Sequence, residues 1–170
     1  MKYRNERIVR NLSDGKTVSC FTPCLFRLLP QNCGTLKTER HIRLRFLYRF
    51  LVGYRIYMLR DGEDFLAYAM FQKGKIARYP FVEKGMYMMG PYFVDEGHRG
   101  HALGGTLLSV AVEDVGEFKS IYAWILVDNQ PSRRTVTKVG FRQCGYLDSS
   151  KIIRSVTQTP TGCQVWRLDK

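Results

Sequence analysis

No apolar run in this sequence is long enough to cross a bilayer. The stretch from Phe46 to Met58 is broken by Arg49 and Arg55, whereas a spanning helix needs about 20 predominantly apolar residues. The opening MKYRNERIVRNLSDGK has no apolar h-region, so no signal peptide is expected. Acidic residues are few, 15 Asp and Glu against 27 Lys and Arg, for a net charge of +12. Such a surface suits an anionic partner: nucleic acid, an anionic membrane face or a phosphate-rich small molecule. It equally suits a solvated basic face with no partner.

Zinc-binding spacing is also missing. The five cysteines are Cys20, Cys24, Cys33, Cys144 and Cys163, an odd number, and no second ligand pair follows Cys20 and Cys24. Free thiols in a reducing cytoplasm are the expectation, with no metal. No internal repeat, low-complexity tract or linker divides the chain.

What is present is core material. Of 170 residues, 45% are hydrophobic and 13% aromatic, enough for one compact domain over residues 1–170. Residues 5–20 read as a strand pair turning at Ser13, Asp14 and Gly15. Residues 38–54 read as an amphipathic helix, with Ile42, Phe46, Leu47, Phe50, Leu51 and Tyr54 at helical spacing. A hairpin is expected over 55–60 and 64–72 around Asp61 and Gly62, then a strand over 86–94. Within that strand Gly90 and Pro91 predict a bulge or splay, because proline cannot donate to a ladder.

Leu103, Leu107, Ala111 and Val115 predict a helix over 101–117. Residues 120–127, SIYAWILV, are apolar on both faces, as in a central parallel strand. A short helix from Pro131 to Val139 and strands near 141–147 and 163–168 close the chain. This order indicates an α/β domain with a mixed sheet.

The segment VDEGHRGHALGG, Val94 to Gly105, carries the most chemistry. A strand ends, a basic loop follows, and Gly104 and Gly105 fall in a helix's first turn. The helix start offers unpaired N–H groups and the positive end of its dipole, which suits a diphosphate. Arg99, His98 and His101 would stand at the rim. A plain tight turn is the structural alternative. The Walker Gly-Lys-Ser/Thr sequence is absent, and the spaced glycines and following acidic residue of a dinucleotide fold are absent too.

The run RGHALG, Arg99 to Gly104, resembles the acyl-coenzyme A loop of the GNAT superfamily of N-acyltransferases, Arg/Gln-x-x-Gly/Ala-x-Gly/Ala. Asn129 and Ser132, followed by Lys138, Gly140 and Phe141, resemble that family's second signature. The resemblance is good over 86–147; before residue 86 it rests on element order. It implies a GNAT-like, mixed, mostly antiparallel central sheet, splayed at the fourth and fifth strands and flanked by helices. Main-chain groups of Phe93 and Val94 would pair with the pantetheine arm. Arg99, Gly100, His101, Ala102, Leu103, Gly104 and Gly105 would hold the pyrophosphate. Asn129 and Ser132 would contact the arm or hold the second helix, and Asn129 could equally be a plain helix cap. Phe141 is expected in the core.

The reaction so implied is attack of a primary amine on acetyl-coenzyme A or another short acyl-coenzyme A, directly and without metal. A base must accept a proton, and a donor must help the thiolate leave. A backbone amide at Tyr92 or Phe93 would stabilise the oxyanion. The family's Tyr acid falls at Val136 and its strand Glu at Met86, Met88 or Met89, so both usual groups are replaced. The methionines suit a core or acyl-pocket lining. Tyr92, Glu96, Asp128 and Tyr146, with His98, are the candidates to replace the lost groups, and a water relay is the alternative.

The acceptor would be an amino sugar, another small metabolite or a protein amine, and the protein a monomer or homodimer. Two other functions compete: a non-catalytic acyl-coenzyme A-binding module, and a nucleic-acid-binding domain using the basic helix near 40–54.

Overall fold

In a computed structural model of the chain, residues 5–30, 42–150 and 152–170 are described, with only the backbone of 42–45. The expected helical residues 38–41 and Cys33 lie outside them.

The expected first hairpin forms from β1 (Glu6–Asn11) and β2 (Thr17–Phe21). Asp14 closes its turn by accepting from the Lys16 amide at 3.3 Å and the Lys16 ammonium at 2.7 Å. Helix α1 (Ile42–Val52) follows, then β3 (Tyr54–Asp61) and β4 (Asp64–Lys73). The second hairpin is therefore where the Asp-Gly turn predicts it. The helix, however, ends before Tyr54. Gly53, at φ +93°, takes the left-handed turn that ends α1 while its amide still bonds Arg49 O, and Tyr54 pairs with Gln72 in the sheet. Phe46 and Phe50 pack inward, but Leu51 is 78% exposed, so the apolar stripe is narrower than its spacing suggests.

Strand β5 (Tyr87–Val94) leads through a single 3-10 turn at Glu96–His98 into α2 (Leu103–Val115). Then come β6 (Ser120–Leu126), α3 (Gln130–Val139), β7 (Arg142–Asp148), β8 (Ser155–Thr157) and β9 (Cys163–Asp169). Helix α2 is two residues shorter than expected at each end: Ala102 is left-handed at φ 57°, and Gly116 leaves the helix at φ 81°. The three-residue β8 was not expected. It is too short to show a period and is defined by its pairing with β7.

Among the described residues the sheet has the order β1-β2-β3-β4-β5-β6-β9-β7-β8. Every neighbouring pair is antiparallel except β5 and β6. The N-terminal hairpin adds a strand to the count, so the splay falls between the fifth and sixth strands here. β6 is parallel to β5 only at Tyr87–Ile121 and Met88–Tyr122, and antiparallel to β9 along its length. Its outer residues Trp124 and Leu126 are exposed at the opening rather than covered by a second layer.

Strand alternation divides the core. Tyr57 and Leu59 face Leu107, Leu108 and Ala111 of α2, whereas Ile56 and Met58 face Phe46 of α1. Each such buried side chain contributes about 1.5–3 kcal/mol. A third cluster, with Ile76, Val82, Met88 and Tyr122, sets the 74–86 loop against the sheet. Phe141 is buried as expected.

One polar joint crosses the α2 face. Asp114 accepts from the Tyr57 hydroxyl at 2.8 Å and from Arg7 Nη2 at 2.5 Å. Burial works to raise the Asp114 carboxyl, but the bonds from Arg7 and Tyr57 outweigh it and hold the carboxyl below its usual range.

Candidate acyl-transfer site

Between β5 and β6 the sheet opens. Opposite Met70, β5 inserts both Gly90 and Pro91, because the register passes from Ala69–Tyr92 to Phe71–Met89. This bulge bends β5 away from β6, whose ladder with it stops at Met88 and Tyr122. The result is a cleft of about 700 Å³ lined by β4, β5, β6, α1, α3 and two loops.

The loop after β5 is held by its own side chains. Asp95 accepts from the Gly97 amide at 3.2 Å, and its carboxylate lies 3.1 Å from His98 Nδ1. Arg99 donates from Nε to Val94 O at 3.3 Å, pairs with Glu96 at 3.2 Å and lies over the Phe93 ring. Beyond Arg99 the pattern changes. Ala102 supplies no side-chain cap to α2, and among the described residues no hydrogen bond takes up the amides of Gly100 through Gly105. A helix entry with its first N–H groups open suits an anion.

The two helical glycines differ. A Cβ on Gly105 would meet nothing within 4 Å. A Cβ on Gly104 would overlap the Tyr92 hydroxyl and lie 3.2 Å from Val94 Cγ2. Gly104 thus serves the close packing of β5 on α2, while Gly105 leaves the approach to the loop clear.

That packing seats Tyr92 where α2, α3 and the cleft meet. Its hydroxyl lies near Thr135 of α3, whose own hydroxyl donates to Pro131 O at 2.9 Å. Burial pushes the phenol up to about 12, with Thr135 acting the other way. The neighbouring Val136, at the family's Tyr position, lines the cleft and is 1% exposed.

Tyr92, Asn129 and Ser132 line the cleft together. Asn129 also caps α3, accepting from the Ser132 amide at 3.2 Å. Phe93 and Val94 pair with Tyr68 and Ala67 of β4 on one edge, and their other edge faces the opening. Met88 and Met89 are buried and line the cleft. Three candidates stand apart from it. The Glu96 side chain is 81% exposed and paired with Arg99; Asp128 is exposed in the turn before α3; Tyr146 lies in β7 between Thr157 and Gln164. Sequence reasoning missed Gln72, Arg78 and Arg154, which also line the cleft. No local pattern marks them, because they come from a strand and two irregular loops.

Nothing in the site argues against a thioester of coenzyme A. Open amides stand at the end of a strand whose free edge borders a cleft of about 700 Å³.

Residues 23–141 match the acetyltransferase (GNAT) family, well over half of the chain. A protein from Desulfovibrio desulfuricans assigned to the GNAT family shares 17% identity, over 89% of this chain and 98% of that one, with a TM-score of 0.61. RimL, a ribosomal L7/L12 α-N-protein acetyltransferase solved with coenzyme A, shares 13% identity over 96% and 98%, with a TM-score of 0.62. A protein from Thermoplasma acidophilum assigned as an acetyltransferase shares 24% identity over 54% of this chain, which spans 33% of its length, with a TM-score of 0.46. The likeness to the first two speaks for the fold alone. No curated protein matches the sequence. The family match begins far upstream of the two signatures and runs through both, so its evidence and theirs coincide: the chain belongs to the acetyltransferase (GNAT) family.

Proposed function

We propose that the protein transfers an acetyl or other short acyl group from coenzyme A to a primary amine within a ternary complex. The observation that carries this is the uncapped α2 entry at the head of the β5–β6 opening. Amides of Gly100 to Gly105 would hold the linked phosphates, with Arg99 at their rim. The free edge of Phe93 and Val94 would align the arm as an added strand, beside Asn129 and Ser132.

When bound, the thioester supplies the activated acyl carbon. The chain's own part is orientation and proton movement. Tyr92 keeps its proton through the physiological range and lies beside Val136, so it is suited to protonate the departing sulfur. No carboxylate lines the cleft among the described residues, which favours water as carrier of the amine's proton. An amide of Tyr92 or Phe93 would serve the developing oxyanion.

The replacement of the family's Tyr by Val136 and of its Glu by methionine favours one second reading, a module that binds acyl-coenzyme A without turnover. A screen of amines with acetyl-coenzyme A, reading released thiol, separates the two. Calorimetry tests the loop. Arg99→Glu places a negative charge beside the phosphates and should weaken coenzyme A binding at least tenfold, about 1.4 kcal/mol. Arg99→Gln, which loses the same tie to Val94 without adding charge, should weaken it less. Equal affinity in all three proteins would remove the loop from the site.

A further inference from the structure

The far side of the cleft is chemically one-sided. Arg78 comes from the loop between β4 and β5, Arg154 from the segment between β7 and β8, and Arg49 from α1; all three line the cavity. No Asp or Glu lines it among the described residues. The segments that carry Arg78 and Arg154 are fixed in place by their main chains and neighbours. The Arg154 amide donates to Arg78 O at 2.8 Å, which locks the two segments together. The Tyr79 ring meets Phe81 edge-on at 5.9 Å, and Phe81 meets Tyr122 at 5.3 Å, which fixes the loop against β6.

Neither Arg78 nor Arg154 has a carboxylate partner among the described residues. Arg154 Nε is buried without a hydrogen-bond partner among the described residues. So is Nε2 of Gln72, a side chain only 5% exposed that lines the same cavity. Neither atom has surface open to the cavity, whose own lining presents guanidinium charge with no facing carboxylate among the described residues; such a lining suits an acceptor-rich anion. Arg78 and Arg154 both come from segments other than the loop that carries the open helix entry.

We propose that the amine acceptor carries an anionic group, a carboxylate or a phosphate, received by Arg78 and Arg154. The inference rests on the acyl-transfer reading and sharpens it. It excludes polyamines as preferred acceptors, because a polycation in this cleft would meet guanidinium charge and, among the described residues, no carboxylate.

The test uses pairs of amines that differ in the anion: ethanolamine against O-phosphoethanolamine, and cadaverine against lysine, with spermidine as the polycation. Binding is measured by calorimetry on the full chain, alone and with coenzyme A, and turnover by thiol release from acetyl-coenzyme A. At least one anionic member should bind at least tenfold more tightly than its partner, and the two pairs tell phosphate from carboxylate. Arg78→Gln, an exposed change that should leave folding intact, should remove most of that preference. The double variant with Arg154→Gln should abolish it, with coenzyme A affinity unchanged in both. Preference for spermidine or the neutral partners, or an anion preference that survives both substitutions, would overturn the proposal. Failure of coenzyme A itself to bind would instead overturn the acyl-transfer reading, and acceptor binding to the free chain would still decide the anion question.

Discussion

The Tyr92 hydroxyl fills the space that a Cβ on Gly104 would need. This contact joins the bulged strand to the helix whose entry forms the candidate cofactor site. It also seats the phenol against Thr135, beside the valine that stands in for the family's tyrosine.

Gly104 and Gly105 should therefore respond with opposite signs to the same change. Gly104→Ala forces the phenol out of its seat and should destabilise by about 1–3 kcal/mol, the usual cost of overpacking. Gly105→Ala meets open space inside a helix and should stabilise by about 0.5–1 kcal/mol. Urea unfolding of both variants checks this, and stabilisation of both would show that Tyr92 does not lie over Gly104.

Tyr92→Phe should lower kcat by about 100-fold if the phenol is the proton donor, at the low end for general acid catalysis. Coenzyme A affinity should stay unchanged, because the ring still packs on Gly104. With its phenol held up to about 12 by burial, Tyr92 remains protonated across the assay range. The basic limb of the pH profile should therefore keep its position in the variant. A shifted limb at unchanged maximal rate would assign Tyr92 a packing role.

The Asp114 joint predicts acid sensitivity. The folded carboxyl is held below its ordinary value of 3.8, so the stability it contributes is full above that value and is lost as pH falls through the lower, folded one. Thermal melts from neutral pH down to about pH 3 should show a decline that Asp114→Asn flattens. At neutral pH Tyr57→Phe should cost about 1–3 kcal/mol, as for a hydrogen bond to a charged group. A wild-type melting temperature that does not change over this range would remove the joint from the stability of α2.

Much of the fold is legible because its signals are local. Asp14-Gly15 and Asp61-Gly62 set two turns within a few residues. Leu107, Ala111 and Val115 repeat along one helix face, and Asn129 and Gly140 mark both ends of α3. Periodicity misleads where the next element competes: Tyr54 fits the stripe of α1, yet gains more by pairing with Gln72 once Gly53 has turned the chain. It misleads again in β6, where the apolar outer face of Trp124 and Leu126 reflects a cleft wall and not burial under a helix.

The site divides the same way. The Arg99–Gly104 loop and the Asn129–Ser132 pair are contiguous enough to read directly. For the lost general acid the sequence offers Tyr92, Glu96, Asp128 and Tyr146 on equal terms, since each lies near a relevant element. Packing separates them, because only the Tyr92 ring turns into the space between α2 and α3, while Glu96 points to solvent and Tyr146 belongs to the far strands.

By itself the sequence determined the family and the order of strands and helices, the three-residue β8 excepted, and it marked one loop as the candidate cofactor loop, because turn chemistry, side-chain period and main-chain amides act over a few residues. Only the tertiary structure decided which groups share the cleft. Gln72, Arg78, Tyr92, Val136 and Arg154 come from separate segments, and what brings them together is one bulge at Gly90 and Pro91 that parts β5 from β6. How far two strands diverge is set by the packing of whole layers on either side, which no stretch of sequence displays.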